Sequence, residues 1–438
     1  MDFFLFIDIQ EFKIWSSGNA NIDEIIQESQ INYRYNKLHW IPYDNFQNIE
    51  HIADGGHGSV YSAKLDNGTK WNWNFIKQDW EYCSIGIKVA LKEIKDSRYD
   101  IAEFLKMKKI VKNNEFAKYF GFSKNPSTKN YIFVMNLYDD LHDFLNRNYL
   151  NLGWETKTDI LCSMACGLGS LHTKNIIHCN LHSRNILVNN NFYILAAYSI
   201  DLDSCKLEND LILNSDHKNN ETYGSIPYIP PEVLRGNEFT REGDIYSFGG
   251  IMYEIVAAQR PFADQAHDTY LMIDICNGVR PTVPDLMLNW IPEWYLDLMY
   301  RCWSDDPSER PTSIELSNLF REITDKLYAN VVDNDVMRQL QIADVNQKNT
   351  SKSQKQELFE LFSHSSKLNP QASYIGRYIH TLHGLQDLLE EIKSGKSPDP
   401  NLLLKSNEST ISRVSTHSID GIKIQSKQKK VIQTCIVS

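Results

Sequence analysis

"YGSIPYIPPEVLRG" (residues 223–236) is followed by "EGDIYSFGGIMYEIVAAQRPF" (242–262), then "GVRPTVP" (278–284) and "CWSDDPSERPT" (302–312). The order and spacing of these four pieces are far more specific than any one of them. Upstream, the chain reads as strands. "NIEHIADGGHGSVYSAKL" (48–65) has the pattern of a hairpin, "IGIKVALKEI" (85–94) follows a Trp-rich insertion, and "YIFVMNL" (131–137) is a further β-branched and aromatic run. Past residue 139 the pattern turns helical, with strand signals only near 186–197. Strands first and helices afterwards predict an α+β fold with segregated lobes.

Composition narrows the function classes. The chain has 438 residues, 42% hydrophobic and 23% charged, an ordinary globular balance long enough for one large two-lobed domain with extensions. A formal net charge of -11 argues against a general nucleic-acid binder, because no basic field gathers phosphates. The eight cysteines show neither C-x-x-C nor Cys/His metal spacing, which fits reduced thiols in a cytoplasmic protein. "MDFFLFIDIQEF" (1–12) lacks the basic start of a signal peptide and is far shorter than the roughly 20 residues of a membrane span.

Three further stretches carry chemistry. In "IADGGHGSVYSA" (52–63), Gly55, Gly56 and Gly58 let backbone amides approach phosphates, although a glycine turn in any hairpin looks similar. "KVALKEI" (88–94) sets Lys92 in an apolar strand, either as an ammonium for phosphates or as an edge lysine facing water. "IIHCNLHSRNIL" (176–187) brings His178, Asn180 and Asn185 together ahead of a short buried strand.

Taken together, these motifs resemble a eukaryotic protein kinase domain, nearest to the tyrosine-kinase-like group, over roughly residues 47–325. The resemblance implies a two-lobed fold: an N-lobe at 47–135, a hinge at 136–138 and a C-lobe at 139–325, after an N-terminal extension (1–46) and before a tail (326–438). It implies ATP as ligand, with adenine capped by Val60 and Ala90, Met135 as gatekeeper, and the backbone of Asn136, Leu137 and Tyr138 receiving the base. It also implies that Glu232 pairs with Arg310, and that Asp244 holds the catalytic-loop backbone. The remaining implied partners are signalling proteins.

Several catalytic positions depart from the family pattern. Catalysis there is positioning plus electrostatics, with an Asp accepting the substrate hydroxyl proton. Asn180 stands at that position, and an amide does not accept a proton near neutral pH. Cys179 replaces the preceding arginine, His182 stands where serine/threonine members use lysine, and Arg184 where tyrosine-specific members often carry arginine. "IAEFLKMKKI" (101–110) sets Met107 in place of the helix C glutamate, with Glu103 one turn earlier, so Lys92 is expected to lack its usual partner. For the metal-binding triplet two alignments stay open. The ungapped one, favoured because "NILVNNNFYILA" (185–196) reads as a normal strand–turn–strand, gives Tyr198-Ser199-Ile200. The other gives Asp201-Leu202-Asp203, with Asp201 and Asn185 as Mg2+ ligands. Ala53 replaces the first loop glycine, a mild change. The balance favours a pseudokinase acting as scaffold or allosteric regulator, and the alternative is an active serine/threonine or tyrosine kinase.

The flanks are read from residues alone. "NIDEIIQESQ" (21–30) predicts a helix burying Ile22, Ile25 and Ile26, capped by Asn19 or Asn21. From about 327 apolar periodicity fades. "SKSQKQELFELFSHSSK" (351–367) has room for one helix. "LHGLQDLLEEIKSG" (382–395) predicts another through Leu385, Leu388, Leu389 and Ile392, with disorder from "KSPDPNLLLK" (396–405) onward. Cys435-Ile436-Val437-Ser438 fits a prenylation signal, and Lys423, Lys427, Lys429 and Lys430 precede it, the two-signal pattern of peripheral membrane attachment.

Overall fold

The computed structural model describes residues 15–32, 37–55, 58–74, 76–77, 79–95, 119–188, 198–200, 204–212, 218–257, 259–351, 353–354, 357 and 369–402. Helix α1 (Ala20–Asn32) opens on Asn19, whose side-chain oxygen accepts the Asn21 and Ile22 amides. Its Ile22, Ile25 and Ile26 are buried with Tyr119, Phe122 and Phe133 of the small-lobe sheet. The strands of that sheet are β1 (His39–Trp40), β2 (Phe46–Asp54), β3 (Gly58–Leu65), β6 (Lys88–Ile94), β7 (Tyr119–Lys124) and β8 (Tyr131–Asn136), ordered β1-β7-β8-β6-β3-β2. The Trp-rich insertion is a separate hairpin, β4 (Thr69–Asn74) with β5 (Asp79–Cys83).

Residues 15–32 and 37–46, read as part of an extension, thus pack with the small lobe. β1 runs parallel to β7, with His39 opposite Gly121. A Cβ on Gly121 would lie 1.8 Å from the His39 carbonyl oxygen, so only glycine admits this edge strand. Alternation along β6 divides the sheet's two faces. Val89 and Leu91 pack outward with Ile132 and Val134, whereas Ala90 and Ile94 join Phe133, Met135 and the α1 isoleucines in the main core. Lys92, between Ala90 and Ile94, belongs to that second face.

The large lobe begins with β9 (Asp139–Asp140), α2 (Leu141–Asn148) and α3 (Trp154–His172). β10 (Ile176–Ile177) and β11 (Ile186–Val188) flank the loop centred on Asn180, followed by β12 (Tyr198–Ile200), β13 (Lys206–Leu207), α4 (Glu208–Ile212), β14 (Glu221–Gly224) and α5 (Pro231–Leu234). Helix α6 (Arg241–Ala257) is buried on all sides from Gly243 to Ala257, as its all-round apolar sequence requires. Around it stand α7 (Thr269–Cys276), α8 (Asp285–Leu288), α9 (Glu293–Cys302) and α10 (Ser313–Tyr328); α10 opens with a Thr312/Glu315 capping box and packs on α3.

Two findings concern strands and tail. β11 pairs with β12, with Ile186 opposite Ile200 and Val188 opposite Tyr198, and residues 189–197 of the expected strand–turn–strand lie outside the described residues. Composition alone does not choose between adjacent apolar runs; pairing with β11 does. The region after 327, read as a tail, adds α11 (Asp335–Asn349), which buries Met337, Leu340 and Ala343, and a packed segment 369–402. That segment contains β15 (Arg377–His380), paired antiparallel with β14, and α12 (Leu389–Lys393). α12 is shorter than predicted: Leu385 and Ile392 are buried, but Leu388 is exposed. It ends in a Schellman turn, Gly395 at φ +70° with the Lys396 amide donating to the Glu391 carbonyl. Within residues 396–402, read as disordered, Asp399 bonds to Thr269 and Asn401, fully buried, bonds to the backbone of His380. The reason is polar anchoring, to which apolar periodicity is blind.

Candidate active site

The glycine turn joins β2 to β3: the Gly55 amide donates to the Gly58 carbonyl at 2.7 Å, closing a tight hairpin. Gly56 lies outside the described residues. A Cβ on Gly58 would come within 1.9 Å of the Glu93 carbonyl oxygen, so sheet packing requires this glycine whatever the loop binds. Beside the turn, Ser59 donates to the Asp54 carboxylate and Lys95 Nζ lies 2.5 Å from the Ser59 hydroxyl. These bonds, with His51, hold the Asp54 carboxyl below its ordinary range.

Register places the nucleotide-site candidates. Val60 stands opposite Lys92, and Ala90 opposite Met135. Ala90 and Met135 are buried in the core that Val60 packs against. After Met135 the chain leaves β8, and the Asn136 side-chain amide donates to the Tyr138 hydroxyl at 2.7 Å. Burial raises the Tyr138 hydroxyl pKa, against the pull of that bond. Leu137 is exposed.

The loop around Asn180 is held from beneath by Asp244, itself 1% exposed. Its carboxylate accepts the His178 amide at 2.8 Å and the Cys179 amide at 3.0 Å. A carboxylate only accepts, so His172 Nε2, 3.0 Å away, donates to it, and His172 Nδ1 accepts from the Ser313 hydroxyl at 2.9 Å. Cys179 is in the left-handed region at φ +65°, unusual for a residue with a side chain. The two amides bound to Asp244 flank that turn and offset its strain.

Asn180 then faces three neighbours. Its carbonyl accepts from Asn185 Nδ2 at 2.8 Å, and its own Nδ2 lies 3.4 Å from the Ser204 hydroxyl. Its Oδ1 lies 3.6 Å from where a Cβ on Gly224 would stand. Arg184 lies 3.7 Å from Asp140. Glu232 meets Arg310 through both carboxylate oxygens, at 2.7 and 2.9 Å, and the same guanidinium donates to the Glu242 and Ser304 carbonyls.

Asp201, Asp203, Glu103, Met107 and Cys435 with its lysines lie outside the described residues. Ser204 and Gly224, both against Asn180, were not singled out from sequence. Nothing in their local pattern marks them; their tertiary placement against the loop does. No helix among the described residues is long and apolar enough to cross a membrane.

A family model, protein tyrosine and serine/threonine kinase, matches residues 46–320. The chain belongs to that family. Among its relatives are a probable serine/threonine-protein kinase, roco5, of Dictyostelium discoideum (26% identical over 285 residues, 63% of this chain and 10% of the relative) and the brassinosteroid LRR receptor kinase BRL3 of Oryza sativa subsp. japonica (29% over 301 residues, 64% and 23%). Receptor-interacting serine/threonine-protein kinase 4 of Mus musculus is 26% identical over 290 residues, 64% of this chain and 34% of its own length. The match thus spans between a tenth and about a third of these relatives' lengths.

Proposed function

We propose that this kinase-family chain is a signalling module that holds ATP against the Ala90 face of its small-lobe sheet and transfers the γ-phosphate slowly or not at all, acting instead on other signalling proteins through its conformation. The observation that carries this is Asn180, an amide set on a scaffold otherwise built for a catalytic loop. Asp244 holds the loop backbone, Asn185 braces the Asn180 carbonyl, and the Glu232–Arg310 pair is intact. An amide holds a hydroxyl but does not take its proton, and loss of a positioned base costs about 10²- to 10⁴-fold.

The residues present fit ATP. Ala90, Met135 and Val60 provide an apolar surface for a base, Lys92 shares their face, and the glycine hairpin lies at the end of the same strands. Asn185 also fits Mg2+. Asn185 spends its Nδ2 on the Asn180 carbonyl, leaving Oδ1 as the atom to offer a cation. Asp201 directly follows β12, whereas Tyr198 is within the strand, opposite Val188. That pairing supports Asp201 over Tyr198 as the metal-side residue, and it favours the second reading, a slow but active kinase.

Two measurements separate the readings. Thermal unfolding with ATP in Mg2+ and in EDTA reads binding and metal dependence; ligand at about 100 times its Kd stabilises by about 2.7 kcal/mol. Phosphate transfer to a generic protein substrate should rise by about 10²-fold or more in Asn180→Asp and vanish in Lys92→Ala. Wild-type transfer that Lys92→Ala abolishes and Asn180→Asp leaves unchanged would establish the active kinase instead.

A further inference from the structure

β14 ends at Gly224, the first residue of the "GSIPYIPPE" run (224–232), where a Cβ would lie 3.6 Å from Asn180 Oδ1. An extended polypeptide presenting a hydroxyl to Asn180 would meet the β14 edge. Such an edge carries unsatisfied amides and carbonyls and is a template for any strand that reaches it. Here the edge is already taken, by the chain's own β15: Glu221 opposite His380, Thr222 opposite Ile379, Tyr223 opposite Tyr378 and Gly224 opposite Arg377.

The occupant is anchored at both ends. Ile379 is fully buried in the large-lobe core. Thr381 donates through its amide to the Asn220 carbonyl at 2.9 Å, and the Leu382 amide donates to the Leu234 carbonyl at 2.8 Å. Asn401 closes the outer side of β15 by bonding both the amide and the carbonyl of His380, each at 2.9 Å. Asp399 accepts the amide and hydroxyl of Thr269 at the start of α7. Yet the pairing itself covers four residues in a two-stranded sheet, a unit only marginally stable by itself. A strand that is weakly paired but tethered holds its site through effective concentration.

We propose that residues 369–402 are an intramolecular strap whose strand β15 closes the polypeptide-docking edge of β14, and that its release opens this edge to an extended segment of another protein. That the opened edge leads to Asn180 as a phosphoryl-transfer position rests on the second reading above, a slow but active kinase; occupancy of the edge does not.

The test uses the full chain without nucleotide and a fluorescein-labelled synthetic peptide of residues 373–384 as probe. Ile379→Asp removes the buried anchor. It should bind the peptide at least tenfold more tightly than wild type, with a scrambled peptide as control and faster amide exchange at 221–224 without peptide. Unchanged affinity in a folded Ile379→Asp variant with freely exchanging 221–224 amides overturns the proposal, and the strap is then a structural brace. A double-cysteine variant guards against misfolding of Ile379→Asp. Tyr223 and Tyr378 face each other, ring centroids 5.2 Å apart, so Tyr223→Cys with Tyr378→Cys locks the strap when oxidised. The reduced form should bind the peptide at least tenfold more tightly than the oxidised form; equal binding refutes the strap. Peptide capture without any gain in phosphate transfer supports the strap and counts only against the slow-kinase reading.

Discussion

Asp244→Asn isolates what holds the Asn180 loop, because it changes charge and donor pattern while preserving shape. In the wild type one carboxylate oxygen accepts from His172 Nε2 and the His178 amide, and the other from the Cys179 amide. An asparagine that keeps its oxygen on the His172 side turns its NH2 toward the Cys179 amide, donor against donor. The opposite flip abandons two bonds rather than one, so the first is preferred. The loss is then one hydrogen bond to a charged acceptor, about 1.5–3 kcal/mol, plus a buried unsatisfied amide at Cys179, about 1–3 kcal/mol. A total of about 2.5–6 kcal/mol should lower the melting temperature by roughly 10 °C for a domain of this size. Urea unfolding gives the free energy, and hydrogen exchange should show the largest gain at residues 177–180, where Cys179 sits at positive φ. A loss below about 1 kcal/mol, or exchange spread evenly over the lobe, would mean that the carboxylate does not support the loop.

Three further outcomes follow from other contacts. Arg310→Met should cost about 3–5 kcal/mol, because it strands Glu232, and adding Glu232→Leu should recover a large part of that in urea unfolding; a double variant as unstable as the summed singles would argue against an uncompensated charge. Burial acts to raise the Glu93 carboxyl, but hydrogen bonds from Thr128, Asn130 and Asn125 prevail and hold it below its ordinary value of 4.5. The stability it lends is therefore full above that value and is lost as pH falls through the lower folded value, so the acid limb of a stability–pH curve should flatten in Glu93→Gln. Hydrogen bonds with Cys162, Ser317 and Arg321 draw the Cys166 thiol down, so iodoacetamide at pH 6.5 should label Cys166 ahead of Cys276, which burial pushes up to about 11. Arg321→Gln should slow that labelling.

Legibility followed the range of the interaction. The α1 isoleucines, the β2–β3 hairpin and the apolar α6 run were readable because each is a local period or a turn. The region after 327 was misjudged because its anchors are single polar groups. Asn401 and Asp399 reach residues 380 and 269, contacts that no local pattern announces. The pairing of β11 with residues 198–200 is likewise a tertiary choice, since several neighbouring apolar residues have equal claim to it from sequence.

The residues by themselves determined the family, the two-lobed order of strands before helices, and the amide at position 180, since these depend on motif order, periodicity and residue identity. Tertiary structure alone decided that α1 and β1 join the small lobe, that Ser204 and Gly224 border Asn180, and that β15 covers the edge of β14. Each of these joins residues far apart in the chain, and a backbone edge accepts whichever strand packing brings to it.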